Sequence, residues 1–343
     1  MLFSPPRGAR VAGRDALLSA AHPRPPVEVA FELALAARLE AETDWLVGRQ
    51  FGAAVEHPGA RVMDLVGVVP TDAVSDRAAI TDETIPPLAV EGDVGRGEAV
   101  PVTDALDCST EHAESVAERA AERGFFERER RGGRTYVRQT TRYPDWVDRL
   151  VGVENKPDLG RPGDLDFQLR FDAALGLFEE VWLATESYVT GAHLNRIPDP
   201  VGVWRFDPET GERETVREAS TLPVDEPGVE IRAEDPLRTD VALVSVEAKE
   251  RQRRRIAERA WGKGWRPESF PGCVNCSATT DAVPRCSFHD RLVAPSMDCG
   301  SDCPGYKVGE EPDVNPAGLR EERSPWVSDP SGVARKQSGL DQF

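Results

Sequence analysis

Apolar residues recur every four positions in the segment 27–43, V-E-V-A-F-E-L-A-L-A-A-R-L-E-A-E-T, where Phe31, Leu35 and Leu39 share one helical stripe behind a Pro25-Pro26 start. Segments 45–55 and 61–69 change to strand-like patterning and meet at His57-Pro58-Gly59, which predicts a hairpin. A second apolar run, V-G-V-E-N at 151–155, predicts another strand. The amphipathic segment 164–177 follows as a helix, and 180–185, E-V-W-L-A-T, as a buried strand. Segments 201–206 and 212–216 flank a turn at 208–211 and give one more hairpin.

The stretch 71–143 departs from this pattern. Residues 107–110 can cap a helix running to about Arg123, and 125–130 and 135–139 form short strands around Gly132-Gly133. Helices followed by such a hairpin are expected of a small winged-helix-like module inserted between two strands. Residues 217–240 are acidic and contain proline, so a loop is expected there. Residues 241–246 read as a strand or a helix lead-in, and 248–261 as a very polar helix. Neither 1–25 nor 308–343 carries a period, and both are expected to be disordered. No internal repeat is visible. The expected division is a core of 26–70 plus 144–216, the insert at 71–143, and a C-terminal region at 241–307.

Composition adjusts this picture in two places. Hydrophobic residues make up 39% of the chain, enough for real cores, and no apolar run has the length of a membrane span or a secretory signal, so a cytoplasmic location is expected. The formal net charge is −18, and only five of the 42 basic residues are lysine. That balance matches adaptation to high salt, and it leaves local charge as the useful guide to partners.

The chemistry concentrates at V-G-V-E-N-K, 151–156. A strand's period of two points Glu154 and Lys156 to one side, and a carboxylate and an ammonium at the end of a buried strand are costly unless something there uses both charges. An earlier strand carries Asp64 in M-D-L-V, 63–66. The order helix, strand, strand with Asp64, strand with Glu154-x-Lys156, helix, strand resembles the PD-(D/E)xK (restriction-endonuclease-like) nuclease superfamily, as a salt-adapted haloarchaeal member. The resemblance covers about 27–70 and 145–206. It implies an α/β restriction-endonuclease-like core with Asp64 and Glu154 as ligands of Mg²⁺ or Mn²⁺, the Asn155 backbone carbonyl as a further ligand, and Lys156 orienting or deprotonating the attacking water. It also implies Gln168 on the following helix and Glu32 on the first helix as members of the site. Methionine stands where the family name has proline, and the long interval from Asp64 to Glu154 is accounted for by the insert.

Two further features bear on partners. Arg128, Arg130, Arg131 and Arg134 cluster on the predicted hairpin of the insert, and Arg253 and Arg254 lie on the polar helix ahead of Trp261 and Trp265. Both are candidates for nucleic-acid contact, with arginine–glutamate pairing inside the hairpin and a solvated helix as the plain alternatives. Residues 273–303 read C-x2-C-x9-C-x2-H-x9-C-x3-C, supplying Cys273, Cys276, Cys286, His289, Cys299 and Cys303. This predicts a C-terminal Cys-rich metal lobe with zinc on four of the six, either the outer pairs Cys273/Cys276 and Cys299/Cys303 or a set using Cys286/His289. An iron–sulfur cluster is the less favoured alternative. The resulting expectation is a Mg²⁺-dependent nuclease acting on DNA. Its competitor is a non-catalytic DNA-binding regulator on a degenerate nuclease scaffold.

Overall fold

The computed structural model describes residues 26–235, 237–266 and 269–323. The predicted extension at 1–25 and the end of the predicted tail, 324–343, lie outside the described residues. Helix α1 (Pro26–Glu42) is followed by strands β1 (Leu46–Gly52) and β2 (Val62–Pro70). The insert holds α2 (Val74–Ala78), α3 (Pro87–Glu91), β3 (Val100–Pro101), α4 (Val102–Ala105), α5 (Thr110–Glu122), β4 (Phe126–Arg131) and β5 (Arg134–Gln139). The chain then returns through β6 (Val147–Asn155), α6 (Leu165–Leu175), β7 (Glu180–Thr185), α7 (Gly191–Leu194), β8 (Gly202–Phe206) and β9 (Arg213–Arg217). A hairpin of β10 (Gly228–Asp235) and β11 (Arg238–Val244) precedes the long helix α8 (Val246–Lys263). The last elements are β12 (Cys276–Ala278), β13 (Pro284–Cys286), β14 (Arg291–Leu292), α9 (Pro295–Asp298) and α10 (Pro316–Arg323).

The fold is α/β around a mixed six-stranded sheet in the order β1-β2-β6-β7-β8-β9. Strands β1, β2 and β6 pair antiparallel, β6, β7 and β8 run parallel, and β9 closes the edge antiparallel. Each face buries its own core. Phe31, Leu35 and Leu39 of α1 meet Val47, Leu65, Val151, Val153, Trp182 and Trp204 on one side. On the other, Leu169 and Phe171 of α6 and Ile256, Ala260 and Trp261 of α8 meet Phe51, Met63, Val66, Leu150 and Leu183. Gly152 of β6 lies against this second core so closely that a Cβ there would stand 2.8 Å from the Met63 terminal carbon. Among the described residues no helix is long and apolar enough to cross a membrane.

The insert forms its own three-stranded sheet, β3-β5-β4, with α5 and the short helices around a separate core of Ile85, Val116, Phe125 and Val137. It is tied to the main body by a buried ion pair. Arg77 of α2 donates from Nε to Glu258 Oε1 of α8 at 2.7 Å and from a terminal nitrogen to Oε2 at 2.8 Å, and both side chains are fully buried. The Tyr143 hydroxyl and the Ile85 amide also donate to that carboxylate, and Arg77 lies over the Trp261 ring at 4.5 Å. Burial together with Glu258 keeps the Tyr143 phenol protonated well above its ordinary range.

Two expectations are corrected here. Residues 217–240, read as loop, include β10 and the start of β11. The alternation was hidden because the buried member of V-E-I is the acid: Glu230 is 1% exposed and accepts hydrogen bonds from the amides of Val55, Glu56 and His57 at 2.7–3.0 Å. The polar stretch after 308, read as disordered, contains α10, where Arg320 donates to the Trp261 carbonyl at 2.6 Å and Arg323 pairs with Asp281 at 2.5 Å. Charged side chains dock this helix, so hydropathy could not reveal it.

Removing one member of the Arg77–Glu258 pair strands the other in a dry site. Arg77→Ala is therefore expected to lower the unfolding free energy by about 3–5 kcal/mol, read by denaturant unfolding in molar salt, with an Arg77→Met/Glu258→Leu double variant recovering much of it. A loss under about 1 kcal/mol, typical of an exposed pair, would show that the insert is not anchored this way.

Candidate functional site

Register places Asp64 opposite Glu154, since Leu65 pairs with Val153 on the antiparallel β2 and β6. Regular pleating would send both carboxylates to one face. It does not, because β1 and β2 lose their alternation at the same level. Val47 and Leu65 face α1 while Phe51 and Met63 face α8, although each pair is separated by an even number of residues. The irregularity sits at Gln50, whose φ is +60°, and at Asp64 across from it. Gln50 carries no β-branch, which would make this left-handed backbone a genuine outlier.

The result is a polar cluster on the α1 side. Asp64 Oδ2 accepts from the Asn155 amide nitrogen at 2.9 Å and from Asn155 Nδ2 at 2.7 Å. The same Nδ2 donates to Glu32 Oε2 at 3.0 Å, and Arg49 and Gln50 donate to Glu32 at 2.5 and 3.1 Å. Glu32 is fully buried because α1 presents it to the sheet next to the Leu35 and Leu39 stripe. Lys156, just past β6, donates from Nζ to Glu28 Oε1 at 2.7 Å, one helical turn before Glu32.

Glu154 belongs to a different cluster. Its Oε2 accepts from Arg61 at 2.7 Å, and Arg61 also forks onto Asp172 of α6, with Nε 3.1 Å from Oδ1 and a terminal nitrogen 2.6 Å from Oδ2. All three are buried on the α6 side. Burial opposes the Arg61 charge, but the Asp172 and Glu154 carboxylates outweigh it and hold the guanidinium charged above its ordinary range. Burial in turn pushes the Asp172 carboxyl up against the pull of Arg61. Gln168 is half-buried one turn before Asp172, hence on this side of the sheet.

Of the residues expected to converge, Glu32, Asp64 and Asn155 therefore come together, with Lys156 beside them. Glu154 turns the other way, and Gln168 lies with it. Asn155 takes part through its side chain, where the expectation used its carbonyl. Arg49, Gln50, Arg61 and Asp172 were missed. The clearest available signal was Asp172 four residues after Gln168, on the same face of α6.

Arg49 and Gln50, which cover the buried Glu32, also line a cleft of about 720 Å³ together with Trp265, Arg266, Pro295, Ser296, Cys299 and Gly300. Arg266 is held there by Glu40. Among the described residues no group of three or more His, Cys, Asp or Glu side chains is placed so that it could hold a metal ion. What the cluster does offer is two carboxylates and the Asn155 Oδ1, which is buried without a hydrogen-bond partner among the described residues. That donor set suits Mg²⁺, which takes one or two carboxylates and fills its shell with waters or phosphate oxygens.

The candidate nucleic-acid residues divide. On the insert's hairpin Arg128 pairs with Glu118 at 3.5 Å and Arg131 with Glu129, whereas Arg130 and Arg134 form no salt bridge among the described residues. Arg253 donates to Glu179 at 2.5 Å and to the Leu177 carbonyl at 2.7 Å. Arg253 and Arg254 both line a second cleft, of about 410 Å³, with Tyr143 and Trp146. In the Cys-rich lobe Cys276 of β12 stands opposite Cys286 of β13, and Cys303 Sγ lies 3.6 Å from His289 Nε2.

No curated protein and no solved structure matches the chain. One family model does, over residues 46–308, a span that takes in the sheet from β1 onward, the insert and the Cys-rich lobe. The chain belongs to the family of unknown function DUF5787.

Proposed function

We propose that this protein is a Mg²⁺-dependent nuclease that hydrolyses phosphodiester bonds of DNA, using a restriction-endonuclease-like core with an inserted winged-helix-like module. The carrying observation is the buried Asn155 side chain, held between Glu32 and Asp64 behind the cleft-lining Arg49 and Gln50, with its Oδ1 lacking a hydrogen-bond partner among the described residues. The chain order α1, β1, β2, β6, α6, β7, with the first three strands antiparallel and the fourth parallel, supports the reading.

Glu32, Asp64 and Asn155 Oδ1 would hold the ion, which when bound supplies charge stabilisation at a phosphoryl oxygen and an acidified water. Glu32 and Asp64 set the local negative charge that draws a cation to this point. Arg49 restrains Glu32 from the cleft side and presents guanidinium N–H groups where a phosphate would enter. Lys156, restrained by Glu28, supplies an ammonium for the attacking water or the developing charge. Glu154 acts by position: with Arg61 and Asp172 it fixes the end of β6 and so aims Asn155 at the opposite face.

One observation favours a second reading, a non-catalytic DNA-binding regulator: the acid of the Glu154-x-Lys156 signature is taken up by an internal arginine.

The two readings separate when the protein meets labelled linear, nicked and branched DNA, and matched RNA, with Mg²⁺ or Mn²⁺ in molar KCl. Cleavage of DNA is expected, with Asp64→Ala and Glu32→Gln abolishing it and Lys156→Ala slowing it by about 10²–10⁴-fold. Sequence-selective binding without cleavage by the intact protein would establish the regulator instead.

Metal binding offers an independent check by calorimetry with Mn²⁺. Asp64→Asn is expected to abolish uptake at this site, while Glu154→Gln keeps it and loses about 2 kcal/mol of stability from the weakened Arg61 contact. Loss of Mn²⁺ binding in Glu154→Gln, with wild-type stability, would restore Glu154 to the ligand set.

A further inference from the structure

The insert is charged unevenly. Helix α5, which a winged-helix-like module is expected to lay in a DNA groove, exposes Glu111, Glu118 and Glu122, with Arg119 beside them. A duplex carries one phosphate charge per about 1.7 Å of its axis, so a recognition helix must present groups that tolerate phosphates on either side. Three exposed carboxylates set this face of α5 against such an approach.

The hairpin that follows has the opposite balance, concentrated at its tip. Nearer its base, Arg128 pairs with Glu118 at 3.5 Å and Arg138 with Glu127 at 2.6 Å. Arg131 pairs with Glu129 and lies over the Tyr136 ring at 5.1 Å. Arg130 and Arg134 are exposed and have no salt-bridge partner among the described residues. Gly132 and Gly133, with φ of 58° and 82°, form the two-residue turn, and the register it fixes sets Arg131 directly opposite Arg134. Like charges opposed in a ladder are destabilising, and Glu129 takes up only one of these two. In a chain of formal net charge −18, this cationic excess runs against the composition. Space beyond the turn is open, since a Cβ built on either glycine would meet nothing within 4 Å.

We propose that the β4–β5 tip, through Arg130, Arg131 and Arg134, grips the phosphodiester backbone of a nucleic-acid duplex, while α5 stays out of the groove. The grip deepens the nuclease reading and rests on it for the choice of polyanion. Guanidinium groups take phosphate oxygens in pairs, and the two glycines put no side chain between the ribbon and the duplex. Contacts of this kind position a protein on a duplex and carry no sequence information. The insert therefore holds substrate without reading bases.

Fluorescence anisotropy tests the grip, using the full chain and short labelled duplexes of DNA and of RNA, without added divalent metal, over the salt range in which the protein stays folded. Arg130→Ala/Arg134→Ala is expected to weaken binding equally across duplex sequences and to flatten the slope of log affinity against log salt by about 2, one unit per lost phosphate contact. Arg119→Ala, on α5, is expected to leave the slope unchanged. That pattern on either duplex supports the grip and identifies the backbone it takes. Four results would each overturn it: a tip variant that binds like the wild type, a slope that falls in Arg119→Ala instead, polyglutamate held as tightly through the same arginines, or no duplex binding by the wild type. Since binding is read without cleavage, the two claims fail separately. A wild type that binds through the tip and never cuts with Mg²⁺ removes the nuclease reading alone, and one that cuts while the tip variant binds unchanged removes the grip alone.

Discussion

The antiparallel pairing of β2 with β6 is the constraint on which the rest of the molecule depends. It joins strands separated in the chain by the whole insert and sets Asp64 against the end of β6. Val66, Val68 and Leu150 cement it from one face and Leu65, Val151 and Val153 from the other, so a slip of one residue would turn each set toward the opposite core, where the packing partners differ. With register fixed so firmly, polar groups at the strand ends must find partners inside the protein.

They do so by dividing between the faces. The Arg61 fork takes up Glu154 and Asp172 on the α6 side, while Asn155 bridges Glu32 and Asp64 on the α1 side. Four carboxylates on a single face would repel one another strongly in so dry a setting. Dividing them gives each cluster its own arginine, Arg61 on one side and Arg49 on the other, and leaves the second with an Asn155 oxygen that has no hydrogen-bond partner among the described residues. The fully paired Arg61 cluster suits a structural role, and the unpartnered Asn155 oxygen is what the proposed ion site rests on.

Much of the frame was legible in the sequence. Phe31, Leu35 and Leu39 announced α1, the apolar runs announced β2, β6 and β7, and Gly132-Gly133 announced the β4–β5 turn. The membership of the candidate site was legible only in part. Glu154 and Lys156 were read as neighbours from the strand period, but Lys156 lies past the end of β6 and reaches α1, while Glu154 keeps the pleat. Asp64 was recognised, yet its direction depends on the left-handed Gln50 on another strand, which no local pattern in M-D-L-V encodes. Glu230 and α10 were hidden for a related reason: each is docked by charge, and hydropathy assigns charge to solvent.

The central proposal is that Glu32, Asp64 and Asn155 form the ion site and Glu154 does not. Anomalous diffraction from crystals soaked in Mn²⁺ tests it most directly. A peak in contact with the Glu32 and Asp64 carboxylates and Asn155 Oδ1, with Arg61 still on Glu154, is the predicted result. A peak against Glu154, with Arg61 displaced, would contradict it.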